Sequence, residues 1–424
     1  MRTLRVEDFT FLGVTPSGLL DPAIAIAASR ARGVGILNLG PIVNEESALR
    51  AIARLARYGG PECGVKFEGN ADQLVPKLIA ELPKQIRTIV LTPADLERLE
   101  PTVVVLHERC IRVLLETTDA EQARAGRAAG VDGLVAKGNE AGGWVGEETT
   151  FILLQRLLLE SDLPVWAQGG VGLHTAAACY VAGAAGVVLD SQLLLTRESP
   201  LSQVIRDHIV RLEGGETTCI GGNLGQRFRG YSRRGAHCLD KLRDGARRLE
   251  SPDRSPKMAS TWRREVNRHI GWQSLEDEIL PLGQDVAFAG SLTKRFHTVG
   301  GIIQGIRESI TEHLRSAKTL LPLAQGSSLA KSHRTDYPIA QGPMTRVSDT
   351  AAFAVEVAKN GALPFLALAL MRAEEVKNLL EETREALGDR PWGVGILGFV
   401  PIELRQEQME VLVAHKPPFA LIAG

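Results

Sequence analysis

The sequence lacks the features that mark secreted, zinc-binding or membrane-spanning proteins. No CxxC pair and no zinc spacing occurs among its cysteines, so we expect free thiols in a reducing cytosol. No run of about 18 apolar residues occurs, and the first residues, MRTLRVEDFTF, contain no apolar signal segment. We therefore expect a cytoplasmic protein with no metal site and no membrane partner. The five cysteines are Cys63, Cys110, Cys179, Cys219 and Cys238.

An excess of charge of one sign is also absent. The chain has 49 basic and 50 acidic side chains, so its formal net charge is −1. This balance gives no electrostatic reason to expect nucleic acid or an anionic membrane as a partner. Aromatic residues make up only 5% of the chain, but 44% of its 424 residues are hydrophobic. That composition is sufficient for more than one globular domain.

Glycine is abundant, and it clusters after short apolar runs. Residues 164–191 have the sequence PVWAQGGVGLHTAAACYVAGAAGVVLDS. This pattern predicts a buried strand, a loop containing Gly169, Gly170 and Gly172, a short helix and a second strand. Glycines after a strand let backbone N–H groups approach an anion, as in the phosphate-binding corner of a (β/α)8 barrel. The alternative is a turn in which the glycines serve only close packing.

A second glycine-rich block, GLVAKGNEAGGWVG, occupies residues 133–146. Together the two blocks resemble the nitronate monooxygenase (2-nitropropane dioxygenase) family and the related flavin-dependent enoyl-acyl-carrier-protein reductases. In that family a Glu-Ala-Gly-Gly-His loop lies beside the flavin, and a Gly-Gly-Ile-Gly loop holds the FMN phosphate. The resemblance implies FMN as cofactor and, for an enoyl reductase, NAD(P)H as reductant. The cofactor-binding residues that it implies are Gly13, Lys137, Gly142, Gly143, Gly169, Gly170, Gly172, Ser191, Gln284, Gln341, Gly342, Pro343 and Met344.

One position departs from the family pattern. The family histidine, which serves beside the flavin as base or proton donor, is Trp144 in this sequence. An indole has no basic lone pair, so Trp144 marks the catalytic position but is expected to be inactive as a base. Lys137 could approach the flavin or pair with Glu140, and the sequence does not rank these alternatives. We expect Glu140 to stabilise the loop.

The first two hundred residues alternate strand and helix patterns, as a parallel barrel requires. Val103–Leu106 is assigned to the end of a helix, because a strand there would give the barrel one strand too many. The predicted fold is therefore a (β/α)8 TIM barrel. Its eight predicted strands are Thr10–Val14, Gly33–Leu39, Gly64–Phe67, Arg87–Leu91, Ile111–Glu116, Gly133–Ala136, Val165–Gln168 and Gly186–Leu189.

Strand signals fade from about residue 198 to residue 333, and the pattern favours helices joined by polar segments. The basic run Arg227–Arg234 is interpreted as a solvated face. Leu282–Asp285 resembles a family Gly-Gln motif that returns to the flavin from a helical lid, and Val299–Leu320 resembles the family's closing helix. An interdomain linker is the alternative, although a linker would be less apolar than this segment.

After this segment the chain begins again. The sequence YPIAQGPMTR at residues 337–346 matches the family's first-strand signature, whose Gly-Pro-Met turn lies against the flavin ring. Aligning Gly342 with Gly13 gives an offset of 329 residues, and this offset also carries Gly64 onto Gly393. The fourth strand corresponds to residues 417–424 at an offset of 331. A near-constant offset over four strands predicts the repeat of a whole domain.

We therefore predict a first FMN-binding barrel over residues 1–197, a helical lid and connector over 198–333, and the N-terminal half of a second barrel over 334–424. An incomplete second barrel leads us to expect a fragment of a longer product, with the missing C-terminal modules as its partners. Tandem barrels of this kind resemble N-terminal modules of polyketide or polyunsaturated fatty acid synthases.

This resemblance implies an FMN-dependent oxidoreductase that acts as an enoyl-reductase-like module. Its substrate would be an enoyl thioester on an acyl carrier protein, or a small nitronate. The alternative is a catalytically degenerate barrel with a structural or docking role. Trp144 favours the alternative for the first barrel, whereas the Gln341–Met344 turn favours catalysis by the second.

Overall fold

The computed structural model describes residues 5–41, 44–67, 74–92, 99–233, 237–249 and 256–423. The chain divides into two compact units, residues 1–313 and residues 314–424. The first residues of two predicted helices, at 71–73 and 93–98, lie outside the described residues, as do Arg234 and Gly424. Among the described residues, no helix is both long and apolar enough to cross a membrane.

The first unit contains a closed barrel of eight parallel strands in chain order. Pairing of the first strand with the last closes it, with Thr10 opposite Gly186. All eight predicted strands are confirmed, and residues 103–106 lie in a helix as predicted. The barrel strands are β1 (Thr10–Val14), β2 (Val34–Asn38), β3 (Cys63–Phe67), β4 (Ile86–Leu91), β5 (Arg112–Thr117), β6 (Gly133–Lys137), β8 (Val165–Gln168) and β9 (Gly186–Leu189).

Helices cover the outside of the barrel, and side-chain caps define where two of them begin. The side chain of Asn44 accepts a hydrogen bond from the Ser47 amide, and that of Asp119 accepts one from the Gln122 amide. Such caps satisfy backbone donors that have no partner within the helix. The barrel helices are α1 (Ala23–Arg30), α2 (Glu45–Tyr58), α3 (Leu74–Ala80), α4 (Leu99–Glu108), α5 (Ala120–Ala128), α6 (Thr150–Glu160) and α7 (Thr175–Ala182).

Apolar side chains from strands around the barrel pack together, including Leu12, Ile36 and Trp166. The indole N–H of Trp166 extends past Gly186 of the intervening strand β9 to the Thr10 hydroxyl, at 2.6 Å. Strands of a parallel sheet are buried on both faces, which is why their sequences are almost continuously apolar.

A lid, residues 203–296, follows the barrel. Besides helices it contains two strands, which pair with a short strand after β6 to form a three-stranded antiparallel sheet. The prediction of helices with a solvated basic run is therefore wrong for Arg227–Tyr231, in which Phe228 and Arg229 are buried. The elements are β7 (Gly143–Val145), α8 (Gln203–Ile209), β10 (Thr217–Ile220), β11 (Arg227–Tyr231), α9 (His237–Arg248), α10 (Pro256–His269) and α11 (Ala289–Phe296). Helix α12, Val299–Leu320, follows as predicted.

The second unit contains a sheet of four parallel strands in chain order. This sheet confirms the predicted half-barrel, with helices between its strands and its own buried cluster around Trp392 and Leu380. Its elements are α13 (Ser328–His333), β12 (Ala340–Gln341), α14 (Ala351–Lys359), β13 (Leu363–Ala367), α15 (Ala373–Leu387), β14 (Gly393–Leu397), α16 (Ile402–His415) and β15 (Phe419–Ala423).

Strand register supports the repeat and corrects one alignment. The pairs formed by the second, third and fourth strands correspond between the two sheets at the predicted offsets of 329 and 331 residues. In the first strand, however, Gly13 pairs with Gly35, whereas Gln341 pairs with Pro364. The structural counterpart of Gly13 is therefore Gln341, and the alignment of Gly342 with Gly13 is wrong by one residue.

Candidate active site

Three buried charged side chains lie at the carboxyl ends of the barrel strands. Glu116 contacts Lys66 at 2.5 Å through one carboxylate oxygen and Lys137 at 3.2 Å through the other. All three side chains are at most 5% exposed. Lys137 is therefore paired with Glu116, and the predicted alternative of a pair with Glu140 is wrong.

Glu140 instead stabilises its own loop, as predicted. Its carboxylate accepts a hydrogen bond from the Thr150 amide at 2.9 Å and lies 3.0 Å from the Thr150 hydroxyl. Thr150 is the first residue of α6, so the carboxylate lies where the helix dipole favours negative charge. This contact ties the loop after β6 to the next helix.

The lid holds Trp144 in place. Trp144 lies opposite Phe228 in the antiparallel sheet, and the two rings pack edge to face with 5.1 Å between their centroids. The Arg263 guanidinium lies over the indole, 4.5 Å from its centroid. Both contacts are favourable for an aromatic ring, so the indole is fixed against the lid.

A cavity of about 400 Å³ lies beside Trp144, between the barrel and the lid. Its lining includes Glu116, Lys137, Arg227 and Arg263. The volume falls within the range of small-molecule pockets, about 300–1,000 Å³. This cavity therefore has the size of a substrate site.

The glycine loop after β8 has the predicted backbone form. Gly169 and Gly170 have φ values of +113° and +64°, which residues other than glycine rarely adopt. A Cβ on Gly169 would lie 2.6 Å from the Thr150 hydroxyl, whereas one on Gly170 would meet open space. The loop can therefore present backbone N–H groups to an anion at Gly170.

The motif Leu282–Asp285 returns from the lid to this loop, as predicted. The Gly283 amide donates to the Ser191 hydroxyl at 3.1 Å, and the Gln284 amide donates to the Glu140 carbonyl at 2.7 Å. A Cβ on Gly142 would lie 2.3 Å from the carbonyl of Pro281. The returning segment therefore packs directly against the glycine loops.

Asp285 carries a fully buried carboxyl group into this cluster. Its Oδ2 accepts a hydrogen bond from Gln192 Nε2 at 3.0 Å, and its Oδ1 has no hydrogen-bond partner among the described residues. Burial, and then the charge of Asp190, raise the pKa of Asp285 well above its ordinary value. The Ser191 hydroxyl and the backbone N–H of Gly170 face the carboxyl group and act in the opposite sense on its pKa.

Little space remains at the mouth of the barrel itself. Trp272 of the lid lines the mouth, and its indole N–H donates to the Ser17 carbonyl at 2.7 Å. The remaining cavity has a volume of about 40 Å³, far below that of an ordinary ligand pocket. The cavity at the barrel mouth is therefore too small for a flavin ring, and the Asp285 carboxyl group faces the loop predicted to hold the phosphate.

The structure brings together only some of the predicted cofactor residues. Gly13 packs against Ala28, and the Gly172 amide donates to the Thr175 hydroxyl at 2.8 Å, so neither is directed to a ligand at the barrel mouth. The Gln284 side chain is exposed, although its backbone joins the cluster. Those that line the mouth of the first barrel are Lys137, Gly142, Gly143 and Ser191. Those in the second unit are Gln341, Gly342, Pro343 and Met344.

Sequence reasoning missed Lys66, Glu116, Asp190 and Asp285. Lys66 and Glu116 are polar residues near the carboxyl ends of apolar strands, a signal that could have identified them. Asp190 directly follows β9 and carries the same signal. Asp285 lies beside the recognised Gly-Gln motif, but its burial depends on contacts with residues nearly a hundred positions away.

Residues 62–248 match the family model for nitronate monooxygenase. A probable nitronate monooxygenase of Staphylococcus saprophyticus is 31% identical over 161 residues, which cover 34% of this chain and 44% of that protein. A (3aS,4S,5R,7aS)-5-hydroxy-7a-methyl-1-oxo-octahydro-1H-indene-4-carboxyl-CoA dehydrogenase of Rhodococcus jostii is 26% identical over 189 residues, 44% of this chain and 52% of that protein. The match thus spans about half the length of these curated relatives or less.

Solved structures share the fold of the chain. FabK from Thermotoga maritima superposes with a TM-score of 0.61 at 23% identity, over 74% of this chain and 96% of that one. The enoyl reductase domain of MlnA from Bacillus amyloliquefaciens superposes with a TM-score of 0.58 at 11% identity, over 74% and 97%. These superpositions, at less than 25% sequence identity, show a shared fold, whereas the sequence match of residues 62–248 relates the chain to a family. Residues 62–248 of this chain are therefore similar to the nitronate monooxygenase family.

Proposed function

We propose that the protein is an enoyl-reductase-like oxidoreductase module of a polyketide or fatty acid synthase, in which flavin chemistry belongs to the second unit. The first barrel is then a catalytically degenerate copy with a supporting role. The observation that carries this proposal is Trp144, which the lid holds at the position where the family has a proton-transferring histidine.

Each carboxylate that lines the cavity beside Trp144, among the described residues, already has a partner: Asp119 accepts from the Gln122 amide and Glu148 pairs with Arg156. Glu116 is bound to two lysines, and Glu147 pairs with Arg227 at 2.7 Å. Both carboxylate oxygens of Glu116 are therefore engaged by ammonium groups. Loss of a positioned general base typically lowers the rate by about 10²–10⁴.

The second unit offers a more open turn. The amide oxygen of Gln341 accepts a hydrogen bond from the Phe365 amide at 3.1 Å, which ties the turn to β13. A Cβ on Gly342 would have no neighbour within 4 Å, and Met344 is 42% exposed. The turn thus presents bare backbone at Gly342, which suits close approach of a flat ring. Bound FMN would supply hydride transfer, while this turn would position its ring.

The substrate class follows from the tandem arrangement. The repeat of a whole domain supports a synthase module, and an enoyl thioester on a carrier protein is the substrate that such a module would reduce with NAD(P)H. A nitronate oxidised with O₂ is the second candidate, and the family match of residues 62–248 favours it.

The test compares variants in the two units of the purified protein. Turnover of an enoyl thioester with NAD(P)H, and of an alkyl nitronate with O₂, is measured for Gly342→Val and for Trp144→Phe. A valine at Gly342 should displace the flavin ring and lower turnover by about 10² or more. Trp144→Phe keeps an aromatic ring against Phe228 and should leave turnover unchanged. Loss of turnover in Trp144→Phe with normal turnover in Gly342→Val would show that the first barrel performs the catalysis. Turnover of the nitronate but not of the enoyl thioester would identify the nitronate as the substrate.

A further inference from the structure

The loop after β8 and the residue after β9 form a cradle for an anion in the first barrel. Gly170 has a left-handed backbone with open space on its Cβ side, and its N–H faces the cradle. The Ser191 hydroxyl and the side-chain amide of Gln192 lie at the same place. Backbone N–H groups, a hydroxyl and an amide are the donors that usually hold a phosphate group.

The chain itself occupies this cradle. Asp285 is 1% exposed, and its carboxyl group receives the hydrogen bond from Gln192. Gln192 Nε2 also donates to the Val171 carbonyl at 2.9 Å, which fixes the amide between the glycine loop and the carboxyl group. Asp285 Oδ1 is buried without a hydrogen-bond partner among the described residues.

A second carboxylate lies next to Asp285. Asp190 accepts hydrogen bonds from the Ser191 amide at 2.5 Å and from Gln168 Nε2 at 2.8 Å. The Ser191 amide is therefore engaged by Asp190 and is not directed to an external anion. A phosphate brought to this cradle would lie beside two acidic groups, and placing its negative charge there is unfavourable.

We propose that the carboxyl group of Asp285 is a built-in occupant of the anion cradle, so that the first barrel rejects phosphate groups and with them FMN. Asp285 thus acts as a specificity-determining residue. This inference concerns the first barrel alone, and it stands or falls independently of whether the second unit carries the flavin.

Inorganic phosphate is the probe that tests the cradle without involving the space for a flavin ring. The Tm of the full chain is measured against phosphate concentration, with chloride at matched ionic strength as reference. Wild type should show no phosphate-specific rise in Tm. Asp285→Ala removes the occupant and should bind phosphate at least about tenfold more tightly than wild type. Asp277→Ala, which removes an exposed carboxylate of the same lid, should behave as wild type.

Asp285→Asn provides a second variant that keeps the shape of the side chain. It removes the acidic group but leaves an oxygen and an amide in the cradle, so its phosphate affinity should lie between those of wild type and Asp285→Ala. A phosphate-specific rise in Tm for wild type would overturn the proposal. The proposal would also be wrong if neither Asp285 variant bound phosphate more tightly than wild type. Retention of FMN by the Gly342→Val variant, whose first barrel is unchanged, would overturn it as well.

Discussion

The carboxylate of Glu116 neutralises charge in the interior of the first barrel. Glu116 contacts the ammonium groups of Lys66 and Lys137, and all three side chains are almost fully buried. We expect Glu116→Ala to lower the free energy of unfolding by about 3–5 kcal/mol, because two ammonium groups then lose a buried counter-charge. Urea denaturation measures the change. Glu160→Ala, which breaks an exposed pair with Arg124, is the control and should cost about 1 kcal/mol or less.

Asp285 should make the stability of the protein depend on pH. Because burial and Asp190 raise its pKa in the folded state, folding favours the protonated carboxyl group. The contribution of Asp285 to the stability of the folded protein is therefore fully present below the pKa of an unfolded aspartate, about 3.9. This contribution is lost as the pH rises through the folded-state pKa.

Replacing this carboxyl group with a neutral amide should remove that penalty. We expect Asp285→Asn to have a higher Tm than wild type at pH 7, with the difference shrinking as the pH approaches 4. Thermal melts over this pH range measure the difference, and Asp277→Asn serves as the surface control. A difference that grows toward low pH would contradict the assignment of a raised pKa.

Individual site residues differ in how far the sequence could predict them. Gly169 and Gly170 were predictable, because glycine after a strand is a local signal with a direct backbone consequence. The pairing of Lys137 with Glu116 was not, because the two residues lie on neighbouring strands and only the register of the closed barrel brings them together. A local pattern does not contain that information.

The antiparallel sheet of the lid depends on a strand contributed by the barrel. β7 pairs with β11, so Trp144 and Phe228 lie opposite each other. We expect Phe228→Ala to destabilise the first unit by about 3–5 kcal/mol, because it opens a cavity in a buried cluster that includes Trp262. Urea denaturation measures the loss, and the intrinsic fluorescence should shift to the red as Trp144 becomes solvated. Val204→Ala, at an exposed helix position, should have little effect on either signal.

Elements with a strong local pattern could be predicted, whereas those that depend on distant partners could not. Each barrel strand is a short apolar run between polar segments, which is sufficient for its identification. β11 contains two arginines and a glycine, and it is a strand because β7 and β10 pair with both of its edges. One of these arginines, Arg229, is buried because its guanidinium binds the Asn139 carbonyl and the Thr217 hydroxyl.

At the scale of the whole molecule, the repeat was predictable from the sequence because an offset conserved over four strands needs no knowledge of contacts. The exception is the first strand, where the structure shifts the alignment by one residue. A two-residue strand such as β12 has too few pairs to define its register from sequence. The position of Gly342 after the strand, and not within it, follows only from the structure.

The open sheet formed by residues 340–423 predicts self-association of a polypeptide that consists of these 424 residues. β15 lies at one edge of this sheet, and its Ile422 side chain is 74% exposed. An exposed apolar edge strand can pair with the same strand of a second copy, whereas a lysine on such a strand opposes pairing through charge and solvation. We therefore expect Ile422→Lys to reduce concentration-dependent association in sedimentation velocity. Leu159→Lys, at a position 87% exposed on α6 of the closed barrel, should leave association unchanged. Equal association of all three proteins would mean that the edge of β15 does not mediate the contact.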